Sequence, residues 1–201
     1  MDKKLNIKKR PARLRSTKSL RSLNSEYTLN TKDLIYPLFI KSGNNIKKEV
    51  KSMPDIFQFS LDRVFHEIEY LLNHNVDKFI LFGITDKKDE FGLDALSDNG
   101  IIQKSLKEIK KRFPEILIIT DLCMCEYTSH GHCGILNDGK LDNDVTLEYL
   151  QKQAVSHANF GADIIAPSGM IDNAVKHIRN SLDENNHKNI PIMSYSAKFA
   201  S

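Results

Sequence analysis

Residues 61–84 read Leu61-Asp-Arg-Val-Phe-His-Glu-Ile-Glu-Tyr-Leu-Leu72, then Asn-His-Asn-Val-Asp77, then Lys78-Phe-Ile-Leu-Phe-Gly-Ile84. In the first part Leu61, Val64, Phe65, Ile68, Leu71 and Leu72 recur at helical spacing and fall on one face. The last part is almost continuously apolar, as strands buried on both faces are. A helix that leads into such a strand is part of a β-α-β unit.

The same alternation extends in both directions. Strands are predicted at Ile35–Ile40, Lys78–Ile84, Glu115–Thr120, Asp163–Ala166 and Ile190–Ser194. Between them lie helical faces formed by Ile102, Leu106, Ile109 and Phe113, by Leu147, Leu150, Ala154, Val155 and Ala158, and by Ile171, Val175, Ile178 and Leu182. Ser60 is placed to cap the helix that starts at Leu61, although Arg63 stands where a capping-box acid belongs. Asp98 and the acids at 142–144 offer caps for the next two helices. Phe113-Pro114 ends one helix, because a residue before proline avoids the α region. Gly161 after Phe160 suits a left-handed helix end.

The resulting order, β-α-β-α-β-α-β-α-β, implies parallel strands joined by right-handed crossovers. An open doubly wound sheet and the first five strands of an eight-stranded barrel both fit. The first strand is not followed by Gly-x-Gly-x-x-Gly, which counts against the dinucleotide-binding version of the open sheet. The chain stops at Ser201, soon after the fifth strand and with no helix to cover it. That is expected of an interrupted barrel, which would leave raw edges at its first and fifth strands.

Composition is that of a globular protein, with 40% hydrophobic and 27% charged residues. No apolar run approaches the roughly 18–20 residues of a membrane span. The start of the chain has no apolar core of a secretory signal, so a cytoplasmic location is expected. Residues 1–21 carry nine basic groups and one acid, a net +8, so the rest of this +3 chain carries −5. Such an arm could bind nucleic acid, serve as a transit peptide, pack on an acidic neighbouring subunit, or stay solvated. It has no aromatic residue to stack on a base.

Chemistry concentrates at the carboxyl ends of the predicted strands, where parallel α/β folds place their ligands. The third strand leaves through Thr120-Asp121-Leu-Cys123-Met-Cys125, the fourth through Ala166-Pro-Ser168-Gly169, and the fifth through Ser194-Tyr-Ser-Ala-Lys198. All three cysteines of the chain, Cys123, Cys125 and Cys133, fall within eleven residues. An odd number of clustered thiols points to metal or redox chemistry rather than a disulfide framework. Cys-x-Cys puts two thiolates on one side of an extended chain, and a loop through Gly131 folds the third back. Three thiolates suit a zinc with one open position, whereas His130 or His132 as a fourth ligand would make the site structural. Lys198 follows an apolar strand and precedes Phe199-Ala200. Desolvation there would leave a neutral amine able to attack a ketone and form a Schiff base. Asp121 and Asp172 could hold an ammonium or move a proton; they could equally cap a loop and a helix start. Ser168 could bond to substrate or shape the turn after Pro167.

Five segments, Arg10-Pro-Ala-Arg-Leu-Arg15, Tyr36-Pro-Leu-Phe-Ile40, Asp121–Gly134, Ala162-Asp-Ile-Ile-Ala-Pro-Ser168 and Met193-Ser-Tyr-Ser-Ala-Lys-Phe-Ala-Ser201, together resemble the porphobilinogen synthase (5-aminolevulinate dehydratase) family. The resemblance spans nearly the whole chain. It implies a (β/α)8 TIM barrel, here truncated after about five strands, in residues 31–201, preceded by an extended basic arm over residues 1–30. It implies condensation of two 5-aminolevulinate molecules to porphobilinogen in tetrapyrrole (heme) biosynthesis.

By the same resemblance, Lys198 is the first of two imine-forming lysines. Cys123, Cys125 and Cys133 are zinc ligands, with His130 and His132 as bystanders. Asp121, Ser168 and Asp172 match substrate-binding positions. The arm matches an extension that wraps a neighbouring barrel, usually in a homo-octamer. The family's second lysine, its carboxylate-gripping basic residues and the magnesium site of some members lie beyond Ser201. A polypeptide of these 201 residues alone is therefore expected to be inactive. The stretch Ser168-Gly-Met-Ile-Asp-Asn-Ala-Val175 departs from the family's Met-Met-Asp-Gly-Arg pattern. Two other classes fit the residues: a zinc module with a nucleic-acid-binding arm, and a different Schiff-base barrel lyase that needs no metal.

Overall fold

Strand and helix alternate along the chain as the apolar periods require, in a computed structural model that describes residues 8–197. The strands are β1 (Tyr36–Lys41), β2 (Lys47–Glu49), β3 (Phe57–Phe59), β4 (Lys78–Ile84), β5 (Leu117–Leu122), β6 (Leu136–Asn137), β7 (Lys140–Leu141) and β8 (Ile164–Pro167). The helices are α1 (Lys18–Leu23), α2 (Leu61–Leu72), α3 (Ile101–Arg112), α4 (Asn143–Asn159) and α5 (Ala174–Glu184).

The main sheet has the order β2-β3-β1-β4-β5-β8 and is parallel except for β2. β6 and β7 form a separate small hairpin. Beyond β8, Ile192 pairs in parallel with Ile165. Backbone bonds from Ile165 N–H to Pro191 O, Met193 N–H to Ile165 O and Tyr195 N–H to Pro167 O continue the sheet at the predicted fifth strand. Among the described residues no pair joins the two outer edges of the sheet.

Side chains alternate across the strands. Leu38, Ile40, Phe79, Leu81, Ile118 and Ile165 face the helices and join Val64, Ile68, Ile102, Leu106, Leu150 and Ile178 in the main core. The opposite face carries a smaller apolar layer of Ile80, Ile119 and Ala166, with Phe82, Leu117, Ile164 and Met193 around it. Phe39 and Phe82 stack on that side, with ring centroids 5.0 Å apart. Continuing the alternation past the strand ends puts Asp121, Ser168 and Tyr195 on this second face. Burial on both faces explains the near-continuous apolar strands.

The chain divides into two compact units, Met1–Asp33 and Leu34–Ser201. In the first, Pro11–Arg15 forms a 3-10 turn and Thr17 caps α1 by accepting the Leu20 N–H at 3.1 Å. None of its helical residues is buried. All the sheet lies in the second unit.

Three local expectations change. The Ser60 hydroxyl accepts the Ile46 N–H at 2.7 Å and makes no capping bond to the backbone N–H groups of α2. Asp98 does not cap α3, whose N-cap is Gly100. The third strand starts at Leu117, because Ile116 N–H still turns back to Phe113 O and pairing begins with Leu117 N–H to Asp77 O. Asp142 does cap α4, accepting the Val145 N–H at 3.1 Å.

Candidate active site and metal centre

β5 delivers Asp121 and then Cys123 at the carboxyl edge of the sheet. The chain next turns tightly, with Tyr127 and Thr128 N–H both donating to Met124 O at 2.9 Å. The Thr128 hydroxyl donates to His132 O at 3.0 Å and closes the loop, which carries Gly131 at φ +73°. This return brings Cys133 beside the other two cysteines. The three sulfurs lie within 4.8 Å of one another, and those of Cys123 and Cys125 are 3.2 Å apart. A tetrahedral zinc with bonds of about 2.3 Å holds its sulfurs roughly 3.8 Å apart, so the set fits such an ion.

The Cys123 thiol is pushed up to about 12 by its hydrogen bond with Cys125, and burial adds to the rise. A cation among the sulfurs would reverse that preference, since coordination favours the thiolate.

His130 does not complete the sulfur set. Its Nδ1 accepts the His132 N–H at 3.1 Å, so its Nε2 carries the proton and donates to Glu90 O at 3.2 Å. Both ring nitrogens are thus committed within the loops. The metal-capable group among the described residues contains the three cysteines and no histidine.

Acids and phenols adjoin the sulfurs. Asp121 is 6% exposed. Tyr195 donates to its carboxylate, and burial together with the Asp121 charge raises the Tyr195 phenol above its ordinary range. Glu126 keeps some solvent access, yet dense surroundings and the neighbouring Asp121 push it well above the usual carboxylate range. It accepts the Gly83 N–H at 3.3 Å, which ties the loop to β4. Tyr127 is buried beneath both acids, its phenol raised by burial first and then by Glu126.

The predicted residues fall as follows. Asp121 and the three cysteines come together. Ser168 is buried and its N–H reaches Leu122 O at 3.4 Å, joining the β8 end to the β5 end. The position of a Gly169 Cβ would lie 3.6 Å from the Cys133 Cβ, so this loop borders the third thiol. Asp172 is exposed, with its N–H held by Asn143 Oδ1 at 2.8 Å, at the outer side of that loop. Lys198 lies outside the described residues. Glu126, Tyr127 and Tyr195 were not singled out from sequence. Each stands inside a quoted motif, and only the fold shows that they face Asp121.

A family model described as delta-aminolevulinic acid dehydratase matches residues 8–201. The delta-aminolevulinic acid dehydratase of Ruminiclostridium josui is 51% identical over 193 residues, 96% of this chain and 94% of that sequence. That of Synechocystis sp. is 50% identical over 196 residues, covering 96% of this chain and 60% of its own length. A crystal structure of delta-aminolevulinic acid dehydratase (porphobilinogen synthase) from Toxoplasma gondii, in complex with the reaction product porphobilinogen, superposes with a TM-score of 0.90 at 32% identity. The match covers 98% of this chain and 57% of that one, so the chain spans little more than half of the Toxoplasma protein and 60% of the Synechocystis one.

Proposed function

The chain belongs to the delta-aminolevulinic acid dehydratase family, and we propose that the protein condenses two molecules of 5-aminolevulinate into porphobilinogen with release of two waters. The observation that carries this reading is the sulfur triad at the same strand-end mouth as Asp121, Ser168 and Tyr195. The surrounding architecture is proposed to be a (β/α)8 barrel in the whole protein, with β1, β4, β5, β8 and the Ile192 segment as consecutive staves.

Zinc held by Cys123, Cys125 and Cys133 would supply a Lewis acid that polarises a bound oxygen. The chain's own groups do the rest. Lys198, the residue after Ala197 in sequence, attacks the ketone of one substrate and forms an imine with loss of water. The imine withdraws electrons and acidifies the adjacent carbon for bond formation. Asp121 accepts the substrate ammonium, and its bond from Tyr195 fixes the direction of its oxygens. Ser168 closes the polar rim between β5 and β8. Asp172 belongs to the loop that borders this rim.

The basic arm is proposed to pack on a neighbouring copy in a homo-octamer, in the cytoplasm, with magnesium a further possible ligand of the whole protein. No helix among the described residues is long and apolar enough to cross a membrane.

The test is to supply 5-aminolevulinate to the zinc-loaded full-length protein, follow pyrrole formation, and trap the imine with borohydride. Porphobilinogen production together with substrate mass on Lys198 is expected. Turnover that persists in Lys198→Met, or labelling at another residue, overturns the assignment.

A further inference from the structure

The loop after β4 runs directly against the cysteine loop. Asp89 forms a parallel bridge with Thr128: its N–H donates to Tyr127 O at 3.3 Å, and its carbonyl accepts the Ser129 N–H at 2.8 Å. One residue on, Glu90 O accepts the His130 ring N–H. Gly92 lies so close that a Cβ there would sit 2.8 Å from the Met124 Cε and 3.1 Å from the Tyr127 Cβ, at a φ of +62° that favours glycine. The strap therefore makes three hydrogen bonds to the segment between the second and third cysteines, with Gly92 close beside it.

Its shape depends on one side chain. The Asp89 carboxylate accepts the Phe91 N–H at 2.8 Å and the Leu93 N–H at 3.1 Å, folding the strap into a tight turn. The Thr85 hydroxyl, donating to Asp94 at 2.7 Å, anchors the other end to β4.

We propose that Asp89 is a positioning residue for the metal centre: its carboxylate holds the strap, and the strap's backbone holds the cysteine loop in the form in which all three sulfurs converge. The inference rests on the zinc reading above. Asp89 is not one of the sulfur ligands and acts through the Tyr127 and Ser129 backbone. Groups that orient a ligand-bearing loop commonly change metal affinity by about 10–100-fold. Coupling of this kind is reciprocal: if the strap favours the metal-competent loop, bound metal must in turn protect the strap.

The experiment measures zinc affinity by chelator competition in the full-length protein and in the Asp89→Ala and Asp89→Asn variants, with melting temperatures of the zinc-free forms. Amide exchange of the unaltered protein is recorded with and without zinc. Asp89→Ala is expected to weaken zinc binding at least tenfold while the zinc-free melting point moves little. Asp89→Asn, which keeps an acceptor for the Phe91 N–H, is expected to recover part of the loss. Zinc is expected to slow exchange of the Asp89 and Ser129 amides. Equal zinc affinity in all three proteins overturns the proposal, as does a loss that tracks general destabilisation without rescue by asparagine. If Asp89→Ala does not fold, the exchange comparison decides: unchanged Asp89 and Ser129 amides on zinc binding overturn it. An unaltered protein that binds no zinc removes the metal reading itself, a result distinct from a variant that binds as well as its parent.

Discussion

The Tyr195 phenol donates a hydrogen bond to the Asp121 carboxylate, joining the segment beyond β8 to the end of β5 across the carboxyl edge of the sheet. The Tyr195 backbone is fixed independently by its N–H bond to Pro167 O. Removing the hydroxyl therefore subtracts the bond without releasing the chain. Asp121 is buried, and a hydrogen bond to a charged group contributes about 1.5–3 kcal/mol. Tyr195→Phe should lower stability by that amount in urea denaturation at neutral pH. A change under about 0.5 kcal/mol, the usual scale for an uninvolved surface substitution, would show that the bond is immaterial.

At Gly83, β4 lies close against α3 and Tyr127. A methyl there would meet the Ile101 Cγ2 and the Tyr127 Oη at 2.8 Å and the Ile102 Cγ1 at 2.9 Å. The strand is central, with β1 and β5 on either side, so the backbone has little room to retreat. Overpacking of this kind costs about 1–3 kcal/mol, equivalent to a melting point lower by several degrees in a domain of this size. Gly83→Ala with an unaltered melting point would contradict the packing described.

The two helix starts read from sequence should respond differently to alanine. Asp142→Ala removes the acceptor of the Val145 N–H and should cost about 1 kcal/mol. Ser60→Ala removes the acceptor of the Ile46 N–H instead. In native-state exchange the first variant should expose the α4 start and the second should expose Ile46 while leaving the first turn of α2 protected. Faster exchange of the α2 start in Ser60→Ala would restore the capping role.

These contrasts show what the sequence makes legible. Helix and strand identity follow from periodicity, because burial imposes it residue by residue; Lys78–Ile84 appears as a strand with the predicted ends. Caps depend on where one hydroxyl points, and Ser60 had a competing partner in Ile46. The β2 and β3 pair escaped notice because three-residue strands, one of them the exposed Lys47-Lys-Glu49, carry no usable alternation. The three cysteines were legible from spacing alone. The Asp89 strap was not, since it holds the cysteine loop largely through backbone groups and leaves no side-chain pattern at Tyr127 or Ser129.

His157 sets a pH dependence unrelated to the active site. It is fully buried in α4, and burial lowers its pKa from 6.5 to about 3. Between those values the unfolded chain binds a proton that the folded chain refuses, so stability falls as pH drops below about 6.5 and the loss is complete near 3. The slope approaches about 1.4 kcal/mol per pH unit. His157→Leu should flatten this part of the stability profile. Both ring nitrogens lack a hydrogen-bond partner among the described residues, so the same variant should be no less stable than its parent at pH 7, because replacing a buried unsatisfied group by an apolar one of similar size is close to neutral or favourable. Parallel profiles for the two proteins from pH 7 to 5 would refute the buried neutral state.

The sulfur triad predicts a zinc dependence that can be read without assaying turnover. A ligand that binds only the folded form stabilises it by about 2.7 kcal/mol when present at a hundred times its dissociation constant. Zinc should therefore raise the melting point, and a chelator should reverse the rise. Cys133 is the informative position to change. It is half-buried, lies at the far end of the loop, and reaches Cys123 and Cys125 only through the fold of residues 126–132. Cys133→Ser leaves the strand end and its two sulfurs in place while removing one of three thiolates. The expected result is a loss of affinity beyond the roughly 100-fold typical of outer-shell changes, with the zinc-dependent rise in melting point abolished and the zinc-free melting point nearly unchanged. If Cys133→Ser retained the full zinc response, the metal would be bound elsewhere, and convergence of the three sulfurs would not be what holds it.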